Sequence, residues 1–251
     1  VAAAAALTGR ITDPATLGFA YPDVRDADKF LIDDSMMITP PCCGKGIEII
    51  RKKTIGSPPV NQALPDMING TVVIKVGDKT STDDIMPAGV HLKHRSNIPE
   101  YAKVVFERFN EEGKPTFAQR AMAVRDAGGH GIIVGRDSYG QGSSREHAAI
   151  CPMYLGVKAL IAMAIERIHA ANLVNFGIVP FTFADKADYD KIEQGDSLVI
   201  EGLRDKLAKK EMPITAVLTK KDGSKAEIKL SYHLSDEDIK IILAGGRLNV
   251  K

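Results

Sequence analysis

The stretch Gly140–His147 reads Gly-Gln-Gly-Ser-Ser-Arg-Glu-His, so two glycines and two serines precede an arginine. It follows the apolar run Gly131–Gly135, which is typical of a buried strand, and precedes Ala148-Ala149-Ile150, which is typical of a helix start. A strand, a glycine-rich turn and a helix N-terminus place backbone N–H groups and the positive end of a helix dipole around one point. Arg145 adds a permanent positive charge. The pattern predicts a site that binds anions and stabilises the anion of a serine hydroxyl.

A purely structural interpretation of the same stretch is a capping box. Ser143 and Glu146 have the spacing with which a serine and a glutamate cap a helix N-terminus, and Gly140 and Gly142 would then only permit a tight turn. A capping box requires neither a second serine nor an arginine. We therefore favour the functional interpretation.

Two other polar clusters precede this stretch. Asp78–Asp84 directly follows a predicted strand and, on its own, is typical of a solvated turn. His91–Asn97 has the composition of a charged, solvent-exposed loop. If the second loop approached the glycine-serine turn, Arg95 and Arg145 would form a clamp for carboxylates or phosphates.

Several common motifs do not fit. The turn lacks the Gly-Lys-Ser/Thr of a phosphate-binding loop, and the glycines at 135, 140 and 142 have the wrong spacing for a dinucleotide-binding fingerprint. It is not a Gly-x-Ser-x-Gly nucleophile turn either. His147 and His169 have no second ligand at metal spacing, which favours a supporting or core role for both.

Alternating strands and helices must position these residues. Strands are predicted at 71–76, 131–135, 157–162, 178–183, 197–201, 213–219 and 225–230. Helices are predicted at 98–111, 117–127, from 144 onward, at 165–176 and at 236–244. Strands that alternate with helices and then follow one another predict a mixed α/β domain rather than a purely parallel sheet.

Composition excludes several classes of protein. The 251 residues include 33 Lys+Arg and 32 Asp+Glu, so the net charge of +1 gives no electrostatic case for a nucleic-acid or membrane-surface protein. No apolar stretch approaches the ~20 residues that span a bilayer. The three cysteines, Cys42, Cys43 and Cys151, form neither a disulfide framework nor a Cys-x-x-Cys pair. This cysteine pattern predicts a reducing compartment, and we expect the cytoplasm.

The N-terminal part differs from the rest. Residues 8–67 are interrupted by prolines too often for a packed domain, which predicts an extended linker with short apolar anchors such as Met36-Met37-Ile38. Val1–Leu7 is an alanine run without an initiator Met or a basic signal-peptide region, and looks like the end of a longer helix. We expect the chain to be a fragment.

The chain resembles the aconitase and isopropylmalate isomerase superfamily along nearly its whole length. The central motif is Tyr139–Ala148. The other matching segments are Thr82–Ile85, Pro87–Gly89, Arg95–Ile98, Glu166–Asn172, Thr182–Asp185 and Leu7–Pro14, the last of which looks like the exit from the family's third domain. Arg95-Ser96-Asn97-Ile98 is similar to aconitases, whereas isopropylmalate isomerases carry apolar residues in this loop.

The resemblance implies the C-terminal part of a bacterial-type aconitate hydratase, which isomerises citrate and isocitrate through cis-aconitate. It implies a swivelling domain of β/β/α type over residues 68–251, preceded by a linker and the end of another domain over residues 1–67. It makes Ser143 the catalytic base, with Arg145 and Asp83 also assigned to catalysis. It makes Arg95, Ser143, Ser144 and Arg145 ligands of the substrate. A serine is a weak base unless its anion is stabilised by N–H donors and a cation, so a neighbouring arginine is chemically reasonable.

The chain departs from the family in its cysteines. Family members hold a [4Fe–4S] cluster through three cysteines, two of them in a Cys-x-x-Cys pair, and Cys42, Cys43 and Cys151 lack that spacing. The resemblance therefore implies no metal ligand in this chain and a partnership with cluster-binding domains that precede Val1. We expect the isolated chain to have no hydratase activity.

Three alternatives remain open at this point. A close one is a related hydro-lyase that acts on homoaconitate or methylcitrate. Another is an anion- or nucleotide-binding module that uses the Gly140–Arg145 turn. RNA binding is the third, and the near-zero net charge disfavours it.

Overall fold

The computed structural model describes residues 1–20, 23–48, 50–52 and 54–250. The chain divides into two compact units, Val1–Ile49 and Ile50–Lys251. Residues 21, 22, 49 and 53 of the predicted linker, and residue 251 of the predicted domain, lie outside the described residues. Within the described ranges, no helix is both long and apolar enough to cross a bilayer.

The first unit contains little regular structure. Helix α1 (Ala2–Thr8) forms from the alanine run and ends at Gly9, whose φ of 72° is left-handed. A 3₁₀ turn at Pro14–Leu17 begins at Asp13, whose carboxylate accepts a hydrogen bond from the N–H of Ala15. The remaining described residues of this unit form no helix or strand. Several of its large apolar side chains are exposed, among them Phe30, Leu31, Met36, Met37 and Ile38.

In the described part of the second unit, seven strands close into a barrel. They are β1 (Ile68–Lys75), β2 (His130–Val134), β3 (Val157–Ala162), β4 (Val179–Phe183), β5 (Ser197–Ile200), β6 (Ile214–Thr219) and β7 (Lys225–Tyr232). The order around the barrel is β1-β2-β3-β4-β7-β6-β5, and β5 pairs with β1 to close it. β1 to β4 are parallel neighbours, and the other pairs are antiparallel. The predicted α/β class with a mixed sheet is confirmed.

Helices connect the strands. They are α2 (Thr82–Ile85), α3 (Ile98–Tyr101), α4 (Phe117–Asp126), α5 (His147–Tyr154), α6 (Arg167–Asn175), α7 (Asp188–Lys191), α8 (Leu203–Ala208) and α9 (Asp236–Ala244). The connections after β1, β2 and β3 leave the same end of the barrel, because these strands are parallel. They carry most of the residues in the sequence motifs.

The hydrophobic core has two parts that use alternate residues of the strands. One buried cluster takes side chains from every strand of the barrel, including Ile132 and Val134 of β2. Ile133, which points to the other face of β2, belongs to a second cluster with helix residues such as Phe117. Burial on both faces explains why β2 is a continuous apolar run instead of an alternating one.

The predicted helix over 98–111 is wrong. α3 ends at Tyr101, and two short 3₁₀ turns at Ala102–Val104 and Glu107–Phe109 follow it. Phe106 between them has a left-handed φ of 54°. Its N–H donates to the carbonyl of Ile85 at 2.9 Å, and its ring packs against Phe117 with centroids 4.8 Å apart. These long-range contacts outweigh the local helix preference.

The segment before β1 already contacts the barrel. Leu64 is 2% exposed and belongs to the barrel cluster. Its N–H donates to the carbonyl of Leu243 at 3.3 Å, and its carbonyl accepts from Arg204 at 2.7 Å. Asn61 donates to the carbonyl of Phe176 at 3.0 Å. The assignment of residues 1–67 to a linker and a preceding domain stays a prediction.

Candidate active site

The loops that follow β1 and β2 are joined by backbone hydrogen bonds. The N–H of Gly140 donates to the carbonyl of Thr80, and the N–H of Thr82 donates to the carbonyl of Gln141, both at 2.8 Å. The Thr82 hydroxyl donates to the carbonyl of Ser143 at 3.0 Å. These contacts place the glycine-serine turn against the start of α2.

Ser143 and Ser144 lie at the exposed side of this junction. The hydroxyl oxygen of Ser143 is 3.5 Å from that of Thr82, which is itself 1% exposed. Gly140 and Gly142 have φ values of +83° and +106°, which side chains rarely adopt. The turn therefore exposes the Ser143 side chain to solvent, while the hydrogen bond from the buried Thr82 hydroxyl fixes the Ser143 backbone.

A capping box determines where α2 begins. The Ser81 hydroxyl accepts from the N–H of Asp84 at 3.1 Å, and the Asp84 carboxylate accepts from the N–H of Ser81 at 2.8 Å. Arg108 forms an ion pair with Asp84. Burial tends to raise the pKa of Asp84, but the hydrogen bonds from Ser81 and Arg108 lower it further, so the net shift is downward. This ionised cap positions Thr82 and Asp83 in the first turn.

Arg145 is held by the loop after β1. Its guanidinium donates to the Asp83 carboxylate at 2.6 Å and to the carbonyl of Met86 at 2.5 Å. The Arg145 side chain is 17% exposed, whereas that of Asp83 is 66% exposed. The structure thus brings Asp83 and Arg145 together, beside the turn that carries Ser143.

Arg95 contacts the first residue of α5 through its backbone. Its carbonyl accepts a hydrogen bond from Nε2 of His147 at 2.9 Å, and the His147 ring lies 5.2 Å from that of Tyr101. The Arg95 side chain is exposed and makes no hydrogen bond or ion pair to another described residue. The structure therefore joins the Arg95 backbone to His147, and the predicted clamp of Arg95 and Arg145 stays a prediction.

A cavity of about 190 Å³ opens beside the serines. Its polar lining consists of Thr82, Ser143, Ser144, Glu166, Arg167, His169 and Asn172. Neither Arg95, Arg145 nor Asp83 lines it. Of the predicted site residues, Ser143 and Ser144 therefore line the cavity, whereas the three charged residues lie outside its lining.

His169 is a core residue, consistent with the sequence-based interpretation. It is 1% exposed, and neither ring nitrogen has a hydrogen-bond partner among the described residues. Burial lowers its pKa to about 4, so the ring is neutral at physiological pH. The ring packs against Gly140, where an added Cβ would lie 2.4 Å from Cγ of His169.

The alternative capping box of Ser143 and Glu146 is not formed. Helix α5 begins at His147, not at Ser144 as predicted, and its N-cap residue Glu146 has helical backbone angles without a side-chain cap. The left-handed backbone of Gly142 and the hydrogen bond from Thr82 to the Ser143 carbonyl instead join the Ser143 backbone to the loop that follows β1. Ser143 is thus free of a capping role.

The cysteines do not fit the ligand set of an iron–sulfur cluster. Cys42 and Cys43 are exposed in the first unit, while Cys151 is buried within α5. Burial raises the pKa of the Cys151 thiol, whereas a cluster requires thiolates. Among the described residues, no group of three or more His, Cys, Asp or Glu side chains could hold a metal ion.

Sequence reasoning singled out His169 but not Thr82, Arg167 or Asn172. A usable signal existed for Thr82, because Ser81-x-x-Asp84 before Ile85 has capping-box spacing and predicts a helix start at that point. Arg167 and Asn172 were noted only within a longer matching segment. Their approach to Ser143 depends on the parallel pairing of β2 and β3, which local spacing does not reveal.

Comparisons with known proteins agree with this architecture. The family model described as the aconitase C-terminal domain matches residues 79–186. The putative mitochondrial aconitate hydratase of Emericella nidulans is 36% identical over 201 residues, which cover 74% of this chain and 25% of that protein. The mitochondrial homocitrate dehydratase of Saccharomyces cerevisiae is 33% identical over 194 residues, covering 71% of this chain and 25% of that protein.

A solved structure shares the fold. The crystal structure of 3-isopropylmalate dehydratase from Methanocaldococcus jannaschii superposes with a TM-score of 0.51 and 26% sequence identity. The match covers 74% of this chain and 92% of that chain. A mixed barrel of this kind is therefore shared with an isopropylmalate-type enzyme.

The expectation of a cytoplasmic location is wrong, because both curated relatives are named as mitochondrial proteins. Cysteines without a disulfide pattern indicate reducing conditions, and more than one compartment provides them. The chain spans about a quarter of the length of these relatives. The matching family model, the relatives and the shared fold together show that the chain carries the C-terminal domain of the aconitase superfamily.

Proposed function

We propose that this chain supplies the catalytic base and carboxylate-binding residues of an aconitate hydratase, which interconverts citrate and isocitrate through cis-aconitate. The main support is the position of Ser143. Its hydroxyl is exposed at the edge of a cavity, on a turn whose backbone is held by Thr82. Similarity to proteins named aconitate hydratase supports the reaction type.

In this proposal Ser143 exchanges the proton on the substrate carbon. A proton on a carbon next to a carboxylate is weakly acidic, so its removal requires a base held within hydrogen-bond reach. The alkoxide of Ser143 is stabilised by Arg145, and Asp83 positions Arg145 through their 2.6 Å ion pair. Ser144 donates a hydrogen bond to the substrate, and Arg95 binds one of its carboxylates.

The [4Fe–4S] cluster of the family is proposed to belong to other domains of a longer protein. The described cysteines do not fit a cluster, and the chain spans only about a quarter of its curated relatives. The step in which the substrate loses or gains its hydroxyl group is therefore not assigned to residues of this chain. Those cluster-binding domains are the proposed partners.

A homocitrate-type substrate is the second candidate. The similarity to a homocitrate dehydratase favours it, since that relative covers nearly as much of the chain as the aconitate hydratase does. The two substrates differ by one methylene group, which a binding pocket distinguishes by about 1–3 kcal/mol. A comparison of kcat/KM for the dehydration of citrate and of homocitrate by the complete protein separates the candidates.

The test of the proposed base is Ser143→Ala in the complete, cluster-loaded protein. We expect kcat to fall by about 10²–10⁴-fold with little change in KM, because the hydroxyl acts mainly in the transition state. Ser57→Ala is a control, since Ser57 is exposed and does not line the cavity. Initial rates are followed by the absorbance of cis-aconitate, and the isolated 251-residue chain should give none.

Two results would contradict the proposal. A loss confined to KM in Ser143→Ala would show that Ser143 only binds substrate. Turnover of citrate by the isolated chain, without other domains, would show that the division of the active site between domains is incorrect.

A further inference from the structure

We infer that Arg167, supported by Asn172, binds a carboxylate of the ligand in the cavity beside Ser143; this rests on the proposed function and adds a contact that selects polycarboxylates. The cavity of about 190 Å³ has room for a small organic acid group and ordered water. Hydroxyl, amide and guanidinium groups line it together with one carboxylate, that of Glu166, which already accepts a hydrogen bond from Ser138. A few convergent polar groups in a concave site are typical of small-molecule binding.

The guanidinium of Arg167 has no anionic partner among the residues that the structure describes. Arg167 is exposed at the first position of α6 and forms no hydrogen bond or ion pair with another described residue through its side chain. In contrast, Nη1 of Arg145 donates to Asp83 and to Met86. Arg167 is therefore a cation available to a ligand at the wall that Ser143 and Ser144 also line.

The start of α6 adds further groups to this wall. Its N-cap residue Glu166 also lines the cavity, and the Glu166 side chain does not cap the N–H groups of the first turn. The Glu166 carboxylate accepts a hydrogen bond from the Ser138 hydroxyl at 2.5 Å instead. Asn172 adds an amide donor from the second turn of the helix.

An independent observation marks the same wall. His169 lines the cavity and is 1% exposed, yet both of its ring nitrogens lack a partner among the described residues. Buried polar atoms are nearly always hydrogen-bonded. An imidazole and a guanidinium without partners line the same cavity. This indicates that a bound polar ligand supplies the missing hydrogen bonds.

This contact selects for the number of carboxylates. A carboxylate matches the fork of two parallel N–H donors that a guanidinium presents, whereas an ammonium offers only a point charge. In the proposed function Arg95 binds one carboxylate of the substrate, and Arg167 holds a different carboxylate of the same molecule. A ligand with a single carboxylate cannot bind both arginines.

The test measures citrate binding to the 251-residue chain by NMR titration, for the wild type and for Arg167→Met. We expect the Kd for citrate to rise about tenfold or more in Arg167→Met, and Arg167→Lys to recover only part of the loss. Arg247→Met is the matched control, because Arg247 is exposed, pairs with Glu237 and does not line the cavity. Acetate and inorganic phosphate serve as probes of a single carboxylate and of a general anion site.

Three outcomes would overturn the inference. They are an unchanged Kd in Arg167→Met, an equal loss in Arg247→Met, and phosphate binding as tight as that of citrate. Absence of citrate binding by the wild-type chain at millimolar concentration would overturn it as well. In the complete enzyme we expect Arg167→Met to raise KM with little change in kcat, the opposite of the result for Ser143→Ala. Failure of Ser143 as the base would therefore leave a distinct result for Arg167.

Discussion

The buried imidazole of His169 makes the stability of the barrel unit depend on pH. Its pKa is about 4 in the folded chain and near 6.5 when it is unfolded, because burial disfavours the charged ring. As pH falls below about 6.5, the unfolded chain binds the proton first. We expect this group to leave the free energy of unfolding undiminished above that pH. By about pH 4 it should lower the free energy of unfolding by up to about 3 kcal/mol. Urea unfolding at several pH values measures the slope.

His169→Phe isolates this contribution, since it keeps a ring in the core and removes the titrating nitrogens. The variant should lose less stability than the wild type between about pH 7 and about pH 4. His233→Gln is the matched control, because it removes an exposed imidazole in place of the buried one. Equal slopes for the wild type and His169→Phe would show that another group carries the effect.

The turn between β2 and α5 depends on two separate properties of Gly140. Its φ of +83° is unfavourable for other residues, and a Cβ would lie 2.4 Å from the His169 ring. Gly223 in the turn between β6 and β7 has a φ of +85° with open space around it. We expect Gly223→Ala to cost about 1–2 kcal/mol from backbone strain and Gly140→Ala to cost about 1–3 kcal/mol more from overpacking. Urea unfolding of both variants measures the difference.

Equal costs for the two substitutions would show that the His169 ring moves freely away from Gly140. Activity of Gly140→Ala in the complete protein adds a second measurement. We expect kcat to fall, because the same turn positions Ser143.

The elements of the barrel were largely predictable, and their irregular parts were not. β3 was predicted with its observed bounds, since Val157–Ala162 is a mostly apolar segment that follows Gly156 and precedes a predicted helix. The break at Phe106 could not be predicted, because it depends on contacts with Ile85 and Phe117 that are distant in sequence. The turn before α5 likewise makes a contact distant in sequence, the hydrogen bond from Thr82 to Ser143.

At the scale of the molecule, the closure of the barrel could not be predicted from local sequence patterns. The strand pattern predicted a mixed sheet, but closure requires β4 to pair with β7 and β5 to pair with β1. These pairings join strands that other elements separate along the chain. The position of Ser143, by contrast, follows from one strand-turn-helix unit, which is why the sequence indicated the candidate site more sharply than the topology around it.

The boundary of the barrel unit can be tested by two truncations. The structure divides the chain after residue 49, whereas sequence reasoning placed the boundary before residue 68. A chain that begins at Ile50 keeps Leu64, whose buried side chain and backbone bonds to Leu243 and Arg204 attach this segment to the barrel. A chain that begins at Ile68 loses these contacts and leaves apolar barrel surface exposed.

We therefore expect the chain from Ile50 to unfold at the same urea concentration as the barrel unit of the full chain. The chain from Ile68 should be less stable by about 2–5 kcal/mol, the usual cost of removing one large buried side chain. Leu64→Ala within the chain from Ile50 is the matched variant, because it removes the side chain and keeps the backbone bonds. If the chain from Ile68 were as stable as the longer one, residues 50–67 would be a linker, and the boundary before residue 68 would be correct.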